Sequence, residues 1–179
     1  LSLRRQRQMC IRDRNYAALC QRHHTSKLAT FEDLARVETF GFRGEALASL
    51  CTVARVTIIT ATQTEAPMGT VLEFDHQGVL IAQDKRQARS RGTTVILRDL
   101  LSNLPVRRRE LEKHVKREYN KAHTMLQAYA LITQNVRWSS CVQLENGRQV
   151  SQLVMRSASG PNALSLIHIS EPTRLRRIS

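Results

Sequence analysis

Apolar residues are spaced along the chain in two alternating registers. Arg55 to Thr62 (RVTIITAT), Gly69 to Asp75 (GTVLEFD), Thr93 to Arg98 and Val136 to Leu144 are rich in β-branched residues or alternate with a period of two, which predicts strands. His76-Gln77-Gly78 predicts a turn leading into Val79–Asp84, and Glu145-Asn146-Gly147 a second turn leading into Arg148–Val154. Between them, Lys85 to Gly92 (KRQARSRG) reads as a polar, basic loop. Spacings of three and four predict helices. Thr30 to Asp33 fits a capping box with Asp in the usual Glu position, ahead of Leu34 and Val37. Leu47, Leu50, Cys51 and Ala54 form the stripe of a helix that starts near Gly44. Ser102 or Asn103 caps a helical region with Pro105 in its first turn, running towards Gln134 with one break and with Val115, Tyr119, Ala122, Leu126 and Tyr129 on one face. This order predicts an α/β (α+β) two-layer sandwich, its sheet mixed but largely antiparallel and its helices on one face. Val56, Ile58, Val71, Leu72, Val95, Leu97, Val136 and Trp138 are expected to lie in one contiguous sheet.

Composition adds limits. With 179 residues, 41% of them hydrophobic and 24% charged, the chain has material for one core. No uninterrupted apolar run approaches the ~20 residues of a membrane helix, so no membrane role is expected. No charged-then-apolar leader precedes a cleavage site. Cys10, Cys20, Cys51 and Cys141 have no CxxC spacing or zinc pattern, which favours a reducing, intracellular setting.

The formal charge of +13 is inflated by the two ends. Met9–Arg14 (MCIRDR) can be encoded by ATG TGT ATA AGA GAC AG, whose reverse complement translates as Leu-Ser-Leu-Ile-His followed by Ile or Met. Leu164–Ile169 reads LSLIHI. Ends that encode each other on opposite strands form an inverted nucleotide repeat, and they resemble transposon-end adapters of sequencing libraries. Residues 1–14 and 164–179 are therefore expected to be adapter-derived and to make no consistent core contacts, with 15–163 a fragment of a longer protein. The flanks hold eight of the 28 basic and two of the 15 acidic residues, so 15–163 keeps a net charge of +7.

Candidate chemistry is concentrated in His23-His24-Thr25-Ser26-Lys27-Leu28 and in Thr39–Leu47 (TFGFRGEAL). Gly41 and Gly44 let the backbone approach a ligand, and the helix that follows offers unpaired N–H groups and a positive dipole end. Lys27 and Ser26 could add a charge and a hydroxyl, completing a phosphate cradle. On residues alone the signal is weak, and a plain turn before a helix is the commoner meaning of GxxG. HHTSKL, VETFGFRGEALASLC and RGTTVILRDLLSNLPVRRRE, in this order and spacing over 15–163, resemble three signatures of the MutL mismatch-repair family, one of the gyrase B, heat-shock chaperone, histidine kinase and MutL (GHKL) ATPases. The Val-Glu-Thr-Phe lead-in, the double His and Leu-Pro-Val-Arg resemble its eukaryotic post-meiotic-segregation branch.

That resemblance implies a partial ATPase lobe: lid, phosphate loop, and C-terminal sheet and helices. Thr25, Ser26 and Lys27 would lie on a lid over ATP. Gly41, Phe42, Arg43, Gly44, Glu45, Ala46 and Leu47 would wrap the triphosphate, and Thr93 would match the strand threonine at the pocket floor. ATP and Mg2+ are the implied cofactors. The family's catalytic Glu, magnesium-binding Asn and adenine-recognising Asp-x-Gly segment have no counterpart in 15–163, so no catalytic or metal residue is assigned and Glu45 is not read as a base. The resemblance also implies nuclear mismatch repair, a second MutL homologue as heterodimer partner, MutS-type mismatch-recognition proteins, and double-stranded DNA. The basic stretch Arg107, Arg108, Arg109, Lys113, Lys116, Arg117 and Lys121 could face that DNA, although a solvated helix face explains it more simply. His23 and His24 are adjacent and read as lid residues rather than metal ligands; Cys51 reads as packing, and Cys20 and Cys141 have no visible partner. An alternative reading, a K-homology-like RNA-binding module, would use Gly41–Gly44 as its GxxG loop.

Overall fold

The computed structural model describes residues 2–3, 11, 15–28, 30, 32–36, 40–133, 136–143, 149–157 and 164–165. The chain divides into two units, residues 1–112 and 113–179.

The first unit is an antiparallel sheet with a helix on one face. Its strands are β1 (Ser2–Leu3), β2 (Arg55–Ala61), β3 (Met68–Phe74), β4 (Leu80–Ala88) and β5 (Gly92–Arg98), in the order β1-β5-β2-β3-β4. Helix α1 (Ala46–Val53) precedes β2, and a short 3-10 turn spans Glu32–Arg36. The Asp33 carboxylate accepts the Thr30 N–H at 2.9 Å, so the side-chain-to-backbone half of the expected capping box forms with the shorter acid.

Register explains the core. Val56 lies between Leu97 and Phe74, Ile58 between Val95 and Leu72, and Thr60 between Thr93 and Thr70, so three rows cross one face of the sheet. The two apolar rows pack against Leu47, Leu50 and Cys51 of α1 and against Tyr16, Leu19 and Cys20. The third row is made of threonines, of which Thr60 and Thr70 are buried. The last carbonyls of α1 are satisfied from two separate loops: His76 Nδ1 lies 3.0 Å from Cys51 O, Asn103 Nδ2 donates to Thr52 O at 2.7 Å, and Leu101 N donates to Val53 O at 2.6 Å. Helix α2 (Pro105–Lys113) follows and begins at Pro105, as its missing N–H favours.

The second unit contains α3 (Val115–Ile132) and the antiparallel strands β6 (Arg137–Gln143), β7 (Gln149–Ser157) and β8 (Leu164–Ser165). Trp138 Nε1 donates to Thr133 Oγ1 at 2.6 Å, and that hydroxyl donates to Tyr129 O at 2.9 Å, fastening β6 to the end of α3.

The α/β class stands, and every described ladder is antiparallel. Four expectations change. Trp138 lies in the second sheet and Val136 just before it, because β6 satisfies its backbone with β7 rather than with β2–β5. Lys85–Ala88 belongs to β4: Thr70 pairs with Arg86 and Met68 with Ala88, and an edge strand tolerates exposed charge. The half-buried or buried face of α3 is Tyr119, His123, Leu126 and Ala130, whereas Val115, Ala122 and Tyr129 are exposed; neighbouring apolar positions left the rotation of the helix open. The flanks also make contacts. Ser2–Leu3 pairs with Val95 and Ile96, Leu164–Ser165 pairs with Arg156 and Ser157, and Ile11 packs against the core. An open strand edge presents N–H and C=O groups that any extended segment can satisfy, whatever its sequence. The Glu145-Asn146-Gly147 turn lies outside the described residues. Among the described residues no helix is long and apolar enough to cross a membrane.

Candidate functional site

The two candidate segments meet. Gly44 has φ +69°, a left-handed conformation that costs a side-chain-bearing residue roughly 1–2 kcal/mol. A Cβ placed there would lie 2.3 Å from His24 O, so the backbone of the 23–27 segment sits where that side chain would be. His23, itself at φ +66°, turns the chain into this contact. Its Nδ1 lies 3.6 Å from Glu45 Oε1, but both side chains are exposed and the pair contributes little.

Lys27 supplies the second link, its Nζ donating to Gly41 O at 2.7 Å. Thr25 Oγ1 accepts the Lys27 N–H at 3.2 Å and shapes the turn, with Ser26 exposed beside it. Among the described residues, a Cβ at Gly41 would meet only Lys27 Nζ, at 3.9 Å, so none of them closes the loop on that side. The Arg43 guanidinium lies 5.5 Å from the Phe42 ring centroid.

Helix α1 starts at Ala46 rather than Gly44. Glu45 occupies the cap position without a side-chain hydrogen bond to the helix, and Ser49 N donates to Glu45 O at 2.9 Å as the first closed turn. Leu47 turns into the core, whereas Ala46 is exposed.

Thr93 stands on the same sheet face as α1, in the threonine row, its Oγ1 3.0 Å from Thr60 Oγ1. Thr60 joins the site without belonging to either candidate segment. Its signal was the continuation of the Val56, Ile58 alternation to a polar residue, which predicts a buried hydroxyl needing a partner. The His24 main chain was missed because the double His reads as a pair of side chains, while the contact is made by backbone. Among the described residues no group of three His, Cys, Asp or Glu gathers in a metal-binding arrangement.

A sheet with one helix-covered face and a glycine loop opening that helix make an α/β lobe, and its matches among solved structures give the class, that of MutL ATPase domains. No protein-family model matches the chain. Among the solved structures that match it, two bear on the class. One is the N-terminal domain of a DNA repair protein, with TM-score 0.68 and 35% identity, covering 82% of this chain and 40% of that one. The other is the Aquifex aeolicus MutL ATPase domain complexed with ADP, with TM-score 0.52 and 28% identity, covering 73% and 48%. Among curated proteins, the DNA mismatch repair protein pms1 of Schizosaccharomyces pombe is 49% identical over 144 residues, 80% of this chain and 18% of that protein. The human mismatch repair endonuclease PMS2 is 46% identical over 139 residues, 78% and 16% respectively. The chain belongs to the MutL family of DNA mismatch repair proteins, among its PMS1 and PMS2 relatives. It spans under a fifth of the length of these curated relatives. The K-homology alternative has no support among these matches.

Proposed function

We propose that residues 15–163 are part of the ATP-binding lobe of a mismatch-repair ATPase, carrying its lid and phosphate loop, and that residues 1–14 and 164–179 are adapter-derived. The observation that carries the reading is the packing of the His24 backbone on Gly44 beside the Lys27–Gly41 hydrogen bond. A segment closed over a glycine loop at a helix start is what a phosphate-gripping lid requires. Thr25, Ser26 and Lys27 are the lid residues, and Gly41 through Leu47 the triphosphate loop. The loop fits a phosphate: among the described residues it is open at Gly41, and it lies next to an ammonium group and ahead of a helix N-terminus. On binding, Lys27 exchanges the Gly41 carbonyl for a phosphate oxygen. Thr93 is the floor residue, its hydroxyl oriented by Thr60.

Among the described residues no group of three His, Cys, Asp or Glu gathers where it could hold Mg2+. In the whole protein, ATP binding closes the lid and joins the N-terminal region to a second MutL homologue on duplex DNA in the nucleus, with MutS-type proteins upstream, and hydrolysis resets the clamp.

The 179-residue chain itself should neither hold ATP tightly nor hydrolyse it. One helix end gains ~0.3–1 kcal/mol from its dipole in an exposed setting, whereas micromolar affinity needs about 8 kcal/mol. Hydrolysis also needs a base, and 15–163 lacks the family's glutamate. Calorimetric titration of the chain with ATP and magnesium, beside a phosphate-release assay, is expected to give neither saturable micromolar binding nor turnover. Saturable binding would mean that the pocket is complete here. In a longer MutL-family protein carrying this segment, Gly44→Val should abolish ATP binding, because the new side chain drives into the His24 carbonyl and separates lid from loop. Retained binding would show that this loop does not grip the triphosphate.

A further inference from the structure

Of the basic residues in Lys85–Gly92, Lys85, Arg86 and Arg91 are exposed, and Arg89 alone is half-buried. Its backbone is fixed directly after β4, where Arg89 N donates to Pro67 O at 2.7 Å. A Cβ at Gly69 would lie 3.2 Å from Arg89 Cδ, and one at Gly92 would lie 3.2 Å from Arg89 Nη2. Two glycines thus leave the room that the arginine stem and head occupy. The guanidinium Nε donates to Gly92 O at 3.0 Å, and Nη1 donates to Thr94 Oγ1. These acceptors belong to the residues immediately before and after Thr93.

We propose that Arg89 is a positioning residue for the nucleotide site, bracketing Thr93 so that its hydroxyl meets the ligand at a fixed angle. The inference rests on the reading of Thr93 as the pocket floor. Side chains alternate along a strand, so Thr94 points away from the face that carries Thr60, Thr70 and Thr93. Arg89 therefore holds Thr94 from behind and leaves the threonine face to the ligand. Gly92, at φ +136°, has the least restricted backbone in β5, and its carbonyl shares a peptide plane with the Thr93 nitrogen. Holding that carbonyl sets the plane from which the Thr93 side chain rises. Thr60 gives a third point, its Oγ1 3.0 Å from Thr93 Oγ1 and 3.5 Å from Gly92 O. Lysine is no substitute. It keeps the charge and most of the stem, but a single ammonium has no planar fork to fix two acceptors at a set spacing.

Arg89→Lys tests the bracket in two settings. In the full 179-residue chain, the amide and methyl NMR signals of Thr93 and Thr94 should shift, while the methyl signals of Ile58 and Leu72 in the core stay in place. In a longer MutL-family protein carrying this segment, Arg89→Lys should raise KM for ATP about tenfold and leave kcat within about twofold. The floor residue meets the bound nucleotide before and during reaction alike, so its displacement weakens binding rather than turnover. Thr93→Val in the same protein should raise KM at least as much. If Thr93→Val raises KM and Arg89→Lys does not, or if the Thr93 signals do not move, the inference fails and the floor reading stands. Shifts spread through the core, with a fall in kcat, would make Arg89 a general stabiliser and overturn the inference too. If Thr93→Val leaves ATP binding unchanged, the floor reading fails and takes the inference with it.

Discussion

Gly44 and Gly78 are the same device in two settings. Both have positive φ, +69° and +82°. In both, a carbonyl from earlier in the chain fills the space of a Cβ: His24 O at 2.3 Å for Gly44, and Cys20 O at 2.2 Å for Gly78. They differ in what holds the opposing carbonyl. Cys20 is sealed into the core with Tyr16 and Cys51, and the turn around Gly78 is pinned by Asp75, whose Oδ1 accepts Gln77 N at 2.9 Å and Val79 N at 2.8 Å. His24 is exposed, and its neighbours hold on through the exposed Lys27–Gly41 bond and the exposed His23–Glu45 pair. The Gly78 contact thus has a buried wall behind it, whereas the Gly44 contact does not. On the proposed function that difference separates a scaffold from a gate.

The largest expected effect breaks the scaffold side. Gly78→Val should lower unfolding stability by roughly 3 kcal/mol or more, because neither the strained φ nor the Cys20 carbonyl can relax. Gly44→Val in the same chain should lose about 1–2 kcal/mol, close to the conformational term alone, as the His24 segment moves aside. Urea unfolding midpoints measure both. Equal losses would mean that the 23–27 segment is held as firmly as the core.

Glu65 sharpens the scaffold side further. Its carboxylate accepts Thr62 N at 2.6 Å and the Tyr16 hydroxyl at 3.4 Å, tying the β2–β3 turn to the 15–20 segment. The Thr62 backbone and hydroxyl, with a smaller contribution from Tyr16, hold its pKa below the usual carboxylate value of about 4.3. On acidification the unfolded chain takes up the proton first. The stabilisation is thus complete above the ordinary carboxylate range and lost as pH falls through it to the lower folded value. Glu65→Gln should cost about 1 kcal/mol at neutral pH and flatten this acid limb of a stability-against-pH curve. A limb unchanged in slope would remove Glu65 from the scaffold.

The smallest effect belongs to the gate. Lys27→Met should change global stability by less than about 0.5 kcal/mol, since the bond it removes is exposed. Limited proteolysis within 23–27 should nevertheless accelerate, as one tether of the segment to the loop is gone. Unchanged cleavage would show that the Gly44–His24 packing suffices.

Period-two alternation set β2, β3 and β5, and spacings of three and four set α1, because these periods follow from backbone geometry that each segment carries within itself. The same local character made Gly44 legible, since left-handed turns ahead of a helix have their own residue chemistry. Local pattern also determined that β6 and β7 are strands and that the helical region after Pro105 breaks once, while the position of that break, at His114, came from the structure. Partnership is another matter. Whether Trp138 joined the first sheet or a second, whether Lys85–Ala88 remained a loop or extended β4, and which face of α3 turned inward depended on which unpaired edge or apolar surface lay nearest after collapse. The Thr60–Thr93 pair, the shared core of Cys20 and Cys51 and the seating of His24 on Gly44 join residues 20 to 33 positions apart. No local preference encodes such a meeting, because its free energy exists only once both surfaces have left water together.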